Sequence, residues 1–393
     1  MKQYKLKDIT ELITCGVAKR PEYTKEGIMF LSSQNVKADK IILDKYNYIS
    51  IYDYERLTKI NKPEKGDILY TRVGSFGEAA VVDIDDKFAL YVSLTLIKPK
   101  KELVNNRYLM HFLNSPKVKE FAKNNTRGIG VQNLNVDTVR EFDIVIPSLN
   151  TQKKIVECLD KAQKLIDKRK EQIEALDELV KSKFIEMFGD PIINGKNYEL
   201  KNLDEICLKI TDGTHNSPSN TTEGVPYVTA KHLKQYGLDF YSEPTYVAIE
   251  DHEVIYKRCN PEKGDVLYIK DGATTGIAGI NHYDFEFSML SSLALLKLNT
   301  NLINNYYLVN YLNNDSVKDR IINDMVGGAI NRLTLMRIKN IKVVMPPIEL
   351  QNQFADFVKQ VDKLKFEMEK SLKELEDNFN SLMQKAFKGE LFN

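Results

Sequence analysis

Apolar and polar residues along the chain alternate first in short runs and then in a seven-residue rhythm, and this progression occurs twice. IMFLSS (28–33), DILYTRV (67–73), AAVVDI (79–84) and ALYVSLTLIK (89–98) are short β-like runs broken by Gly, Asp and Lys clusters, which predicts strands joined by turns. NNRYLMHFLNSPKVKEFAKN (105–124) predicts a helix, and a last short run, FDIVIP (142–147), ends in proline. VPYVTA, DVLYIK, SLALLKL, NNYYLVNYLNNDSVKDRIIND and IKVVMP repeat that order between residues 225 and 346. Strands, a helix and a closing strand describe an α+β domain rather than alternating βαβ units.

After each closing proline the apolar spacing becomes four, three, four, three. Ile155, Leu159, Ala162, Ile166, Arg169, Ile173, Leu176, Val180, Lys183 and Met187 form one series; Phe354, Val358, Val361, Lys365, Met368, Leu372, Leu375, Phe379, Leu382 and Ala386 form the other. Both are a/d seams of helices. Each stripe runs about 33 residues, or roughly 50 Å at 1.5 Å per residue, too long to be buried against one small domain. The two helices are expected to pair with each other, antiparallel, because the partner stripe is already tethered. An ordinary core helix or a coiled coil between separate chains is the alternative.

The repetition is explicit residue by residue. PEKGDILY (63–70) recurs as PEKGDVLY (261–268), and an offset of about 199 carries Asn105, Tyr108, Leu113, Asn114, Gly128, Pro147, Gln152 and Phe188 onto Asn304, Tyr307, Leu312, Asn313, Gly327, Pro346, Gln351 and Phe387. At 197, Gly27, Phe30, Val36 and Lys37 fall on Gly224, Tyr227, Leu233 and Lys234. A period this long means two copies of a whole domain, not a solenoid. The expected division is a first domain over 1–147, a helix over 148–190, a second domain over 191–346 and a helix over 347–393. The expected architecture is two similar α+β domains separated by an antiparallel two-helix coiled coil, with internal pseudo-twofold symmetry.

With 393 residues, 42% hydrophobic and 28% charged, the chain has room for two or three cores and no sign of disorder. Cys15, Cys158, Cys207 and Cys259 are scattered without metal-ligand or disulfide spacing, which suits a reducing compartment. The start, MKQYKLKDIT, has no apolar signal core, and no run of about 18 apolar residues occurs, so a cytoplasmic protein is expected. The net charge of +1 is unevenly spread: residues 1–150 carry 24 Lys and Arg against 19 Asp and Glu, and residues 195–345 carry 16 against 18. Charge alone does not call for nucleic acid.

Catalytic motifs are missing. There is no Walker A loop, no G-x-G-x-x-G after a strand, no H-E-x-x-H and no G-x-S-x-G. His111, His215, His232, His252 and His282 have no histidine counterparts in the other copy, which excludes a duplicated histidine site. Asp67 and Asp265 recur in a Gly-Asp pair before a strand; a turn in which Asp bonds the backbone explains them better than a nuclease metal ligand. In MPPIE, Met345 stands where adenine methyltransferases carry Asn or Asp.

The duplicated order resembles the specificity subunit of type I restriction-modification systems. The matching segments are KGDILYTRVGSFG (65–77), IPSLNTQKKI (146–155), DGTH (212–215), GVPYV (224–228), KGDVLYIKDG (263–272) and MPPIELQNQF (345–354). The first copy lacks the DGTH turn and the second lacks the full R-x-G-S-x-G loop. The resemblance implies that each globular domain is a target recognition domain reading one half of a bipartite, asymmetric double-stranded DNA site. The helices would act as spacer and as docking site for two methyltransferase (M) subunits. It further implies a non-catalytic chain with no cofactor of its own, with S-adenosylmethionine, ATP and magnesium on the M and restriction/translocase (R) partners.

Within such a pair, residues shared by the copies serve the fold or the phosphate backbone, and residues that differ can read bases. Lys37 with Lys234, and Arg72 with Lys270, are the shared basic candidates for phosphate. Gln34, Asn35, Ser75 and Arg127 in the first copy, and His215, Lys231, His232, Thr274 and Thr275 in the second, are the base-reading candidates, since Arg suits guanine and Gln or Asn suits adenine. Gly128 and Gly327 would serve a tight turn or a close DNA approach. Ile155, Leu159, Ile173, Leu176, Val180, Val358, Val361, Leu372, Leu375 and Phe379 are the principal spacer-seam residues. A competing reading is a protein-interaction scaffold with two duplicated binding heads; a third is a nuclease or methyltransferase acting alone.

Overall fold

The computed structural model describes residues 2–37, 39–74, 76–126, 133–234, 237–323 and 333–392. The chain divides into two units, residues 1–171 with 369–393, and residues 172–368.

In the first unit a four-stranded antiparallel sheet has the order Thr10–Cys15, Leu94–Pro99, Ile68–Thr71, Ala79–Val81. A second sheet places Ile28–Leu31 between Asn47–Ile49, antiparallel, and Phe88–Leu90, parallel. Lys2–Lys5 pairs with Asp143–Ile146, closing the domain by joining its first strand to its last. The second unit repeats each of these arrangements. Cys207–Asp212, Leu293–Leu298, Val266–Ile269 and Ala278–Ile280 form the four-stranded sheet, and Val225–Val228 lies between Tyr246–Val247 and Ser288–Met289. Glu199–Asn202 pairs with Lys342–Met345. The two heads therefore share one topology, as the repeated sequence requires.

Two sequence expectations are refined. The helical stretch after the strands is not one helix but two, Asn106–Leu113 and Pro116–Asn124, with Pro116 opening the second, where its missing N–H costs nothing. ALYVSLTLIK is likewise two strands, because a turn at 91–93 passes the chain from one sheet to the other.

Shared residues prove to be braces. Asn114 donates to the Ala79 carbonyl and accepts from its N–H (2.8 and 2.9 Å), and Asn313 treats Ala278 identically (2.9 and 2.9 Å). Tyr108 and Tyr307 donate to the carbonyls of Val145 and Val344. In the PEKGD turn the Asp67 carboxylate accepts from the Glu64 N–H (2.8 Å) and pairs with Lys98 (2.6 Å), while Asp265 accepts from Glu262 N–H (2.8 Å) and pairs with Lys297 (2.9 Å). Burial pushes both carboxyls up, against the pull of these lysines. Gly66 and Gly264 take φ near +94° and +93°, which only glycine adopts without strain.

The central helix spans Leu149–Phe188 and the C-terminal helix Ile348–Lys388. Every residue of the two expected seam series is buried or half-buried, including the polar Arg169, Lys183 and Lys365. Their pairing is antiparallel inside each unit. In the first, Ile155 and Leu159 share a core with Met383 and Ala386, and Lys170 pairs with Glu376 (2.9 Å). In the second, Phe184 and Phe188 share a core with Phe354 and Val358, and Lys365 pairs with Asp177 (2.6 Å).

The units cut across both helices instead of ending where a helix begins. Each head is closed by the start of the helix that follows it and the end of the other helix. Phe387 packs edge-on against Tyr108 (5.3 Å) and Phe112 (5.5 Å) in one unit, as Phe188 packs against Tyr307 (4.8 Å) in the other. Such pairs add about 0.5–1.5 kcal/mol beyond the area they bury. Gln152 and Gln351 are fully buried clamps. Gln152 accepts from Asn105 N–H (2.7 Å) and donates to the carbonyls of Leu103 and Pro147, and Gln351 repeats this with Asn304, Leu302 and Pro346. The junctions also differ. Asp160 binds Arg107 and His111 in the first unit; burial opposes its ionisation, but those partners hold its carboxyl down at about 2. In the second unit Lys359 lies over the Tyr306 ring instead (5.6 Å).

Candidate nucleic-acid interface

The turn that joins the two sheets gathers the loops of interest. In the first unit Ser93 accepts Ser33 N–H on its hydroxyl (3.0 Å) and Arg72 N–H on its carbonyl (3.0 Å), while Val17 N–H reaches the Leu90 carbonyl (2.9 Å). In the second, Ser292 accepts Ala230 N–H (3.2 Å) and Lys270 N–H (2.9 Å), and Thr214 N–H reaches the Met289 carbonyl (2.8 Å). Three loops distant in sequence, near residues 16–18, 33–37 and 72–74, therefore converge in one unit, and those near 213–215, 230–234 and 270–276 converge in the other.

Gly16 and Gly213 occupy equivalent places where the first of these loops crosses the sheet-joining turn. A Cβ at either would collide with backbone carbonyls, of Leu90 and Tyr91 at one and of Met289 at the other. The first copy thus does make the DGTH-type turn. What it lacks is the charge, since Cys15 and Ala18 stand where the second copy has Asp212 and His215.

Several candidates turn out to hold the scaffold. Asn35 is buried: its side-chain oxygen accepts Ser32 N–H (3.0 Å) and its amide donates to the carbonyls of Ile42 (2.9 Å) and Lys45 (2.8 Å). His232 is also buried, accepting Thr229 N–H on Nδ1 (2.9 Å) with Nε2 on the Glu243 carbonyl (2.9 Å). Burial pushes its imidazole below the usual range. Arg72 spends its guanidinium on the carbonyls of Leu134 and Val92 and on the Asn133 side chain. Lys270 is buried between Asp271 (2.9 Å) and Asp212 (3.5 Å), and Thr275 is buried on the Gly272 carbonyl (2.8 Å). Asn35, His232, Lys270 and Thr275 are thus internal braces and not the DNA contacts expected of them, because a buried side chain whose polar atoms are already bonded has none to offer a base or phosphate, whereas Arg72 is held by its three bonds but is only half-buried.

The others remain outward. Gln34, Lys37, Lys231, Lys234 and Thr274 are exposed. Gln34 makes one long bond to the Lys45 carbonyl (3.4 Å), and Lys231 a loose pair with Glu243 (3.6 Å). His215 is half exposed, with Nε2 3.1 Å from Asp212, whose other oxygen binds Arg258 (2.6 Å). Ser75, Arg127, Gly128 and Gly327 lie outside the described residues. Asp212 and Arg258 were missed by sequence reasoning; their only signal was a charge in one copy facing Cys15 and Ile60 in the other.

Among the described residues no group of three or more His, Cys, Asp or Glu is placed to hold a metal, and no helix is long and apolar enough to cross a membrane. Residues 1–176 and 195–377 match the family described as type I restriction modification DNA specificity domain. The type I restriction enzyme MjaIX specificity subunit of Methanocaldococcus jannaschii is 25% identical over 83% of this chain and 78% of its own. A solved chain reported under complex assembly and conformational transition of the type I R-M system matches with TM-score 0.59, 18% identity, and coverage of 99% of this chain and 98% of that one. The S subunit of a type I restriction-modification system from M. genitalium matches with TM-score 0.53, 18% identity, and coverage of 98% and 96%.

Proposed function

The chain belongs to the family of type I restriction-modification DNA specificity subunits, and from that premise we propose that its two heads read the two unlike parts of one bipartite, asymmetric DNA site. One observation carries this reading. The heads share strand order, turn braces and helix clamps, yet differ in the exposed polar residues at the convergent loops: Gln34 in one, and His215, Lys231 and Thr274 in the other. A shared frame with unlike outward groups is what two readers of unlike sequences need. Lys37 and Lys234, also exposed, are the exception: they are the same residue at matching places on matching hairpins, so they read no base difference and suit the phosphate backbone common to every sequence.

In this reading the chain performs no catalysis and works in the cytoplasm. Two M subunits dock on the helical part, R subunits join them, and S-adenosylmethionine, ATP and magnesium belong to those partners. The two long helices, Leu149–Phe188 and Ile348–Lys388, are each continuous, and in this reading they set the interval between the half-sites.

Exchange of residues 1–147 for those of a relative with another specificity, followed by methylation mapping in cells carrying the cognate M subunit, tests the assignment. One half of the methylated motif should change and the other persist. Change in both halves would refute separate reading.

A further inference from the structure

Resting on that DNA-reading role, we infer that the second head carries a phosphate-binding groove, formed by Arg320, Arg337 and Lys342, that the first head lacks. The groove encloses about 420 Å³ between the helices Asp315–Asn323 and Leu335–Lys339 and the strand Lys342–Met345. Its floor is apolar, made by Ile321, Leu333 and Ile341, and its rim carries the three cations and Asn340.

Among the described residues no carboxylate pairs with Arg320, Arg337 or Lys342, whereas neighbouring Lys339 is taken by Asp204 (3.0 Å). The Tyr311 hydroxyl donates to the Lys342 carbonyl (3.0 Å) and lies beside the Arg320 guanidinium, fixing both walls. Two guanidiniums and an ammonium around one concavity match an anion with several acceptor oxygens, and guanidinium grips phosphate through two parallel N–H bonds. An apolar floor strengthens the field, because it keeps high-dielectric water from one side of the charges.

The first head supplies the contrast. Phe121, Thr138 and Asp143 stand at the equivalent positions. Phe121 is packed edge-on against Phe142 (5.6 Å), Asp143 is paired with Lys5 (2.8 Å), and nearby Glu141 with Lys7 (2.6 Å). That surface is neutralised from within, and the second is not. A nucleic-acid backbone is favoured over an acidic protein segment by continuity: Leu333, in the groove floor, donates its N–H to the Lys270 carbonyl (2.8 Å), at the start of the loop that presents Thr274. A strand crossing the convergent loops of this head would next meet the groove. The excess of acid over base across residues 195–345 hides this local concentration.

Phosphate contacts are independent of sequence, so the test needs no knowledge of the target. The full chain, assembled with its M subunits, is titrated with a random-sequence duplex across a salt series by fluorescence anisotropy. The triple change Arg320→Gln, Arg337→Gln and Lys342→Gln should weaken binding at low salt and flatten the slope of log K against log salt by about 0.9 for each lost contact. The single change Lys342→Gln, at an exposed strand position, should give about one such unit and guards against a folding defect in the triple variant. An unchanged slope in both variants overturns the groove while leaving the DNA-reading role intact. Absence of salt-sensitive DNA binding by the unaltered assembly overturns that role itself. Unchanged DNA binding with loss of the M subunits would reassign the groove to a protein contact and equally overturn it.

Discussion

Asn35 and His232 hold the same turn with different chemistry. Each accepts the backbone N–H three residues earlier, at 3.0 Å from Ser32 and 2.9 Å from Thr229, and each turns its other polar atom toward a backbone carbonyl further along the chain. Divergence between the repeats at this position is therefore a change of brace and not a change of base reader.

This equivalence gives a pH prediction. His232 must be neutral to accept Thr229 N–H, and burial lowers its folded-state pKa below the ordinary value of 6.5. The unfolded chain thus takes up a proton first as pH falls. The stabilisation is complete above about pH 6.5 and is lost as pH drops from there toward the folded value. His232→Asn, borrowing the brace of the first head, should melt close to the unaltered protein at pH 7.5 and lose less stability between pH 7 and 5. An unchanged pH dependence would refute the brace.

Gln152→Ala strands Asn105 N–H and the carbonyls of Leu103 and Pro147 in a buried site, which should cost about 3 kcal/mol. Gln351→Ala should cost a similar amount in the other unit. Urea unfolding of each variant measures both, and a loss below about 0.5 kcal/mol would show that the clamp is dispensable.

Phe387 lies near the chain's C-terminal end but belongs to the first head, against Tyr108 and Phe112. Phe387→Ala should cost about 3 kcal/mol, the lower end for a truncated core phenylalanine, because it is only partly buried. Hydrogen exchange should quicken in residues 106–113 and not in 305–313. The opposite pattern would contradict the exchange of helix ends between heads.

Gly213→Ala should displace the DGTH turn, since the added carbon meets the Met289 carbonyl. Gly16→Ala should do the same in the first head. Each change should reduce recognition of one half-site only, read by methylation mapping with the cognate M subunit, and loss of the same half-site from both variants would break the assignment.

Removal of one heptad from each long helix keeps both seams in phase and shortens each helix by about 10 Å at 1.5 Å per residue. On the spacer reading the unread gap shortens by roughly three base pairs or recognition is lost, given about 34 Å per turn of DNA. An unchanged gap in methylation sequencing argues against a ruler.

The amino-acid sequence by itself determined the duplication, the α+β character of each copy, and the two seams down to residues such as Ile155, Leu159, Val358 and Val361. All of these rest on local periodicity or on self-similarity, which one chain displays without folding. It also separated brace from reader correctly at Asp67 and Asp265, where Gly-Asp before a strand has a local meaning. Tertiary structure alone decided that Asn35, His232, Lys270 and Thr275 face inward, that Phe387 completes the first head and Phe188 the second, and that Arg320, Arg337 and Lys342 share one groove. Burial and convergence depend on which distant segments meet, as at Ser93 and Ser292, and polarity along the chain carries no record of that: a buried asparagine and an exposed one read alike until their partners are in place.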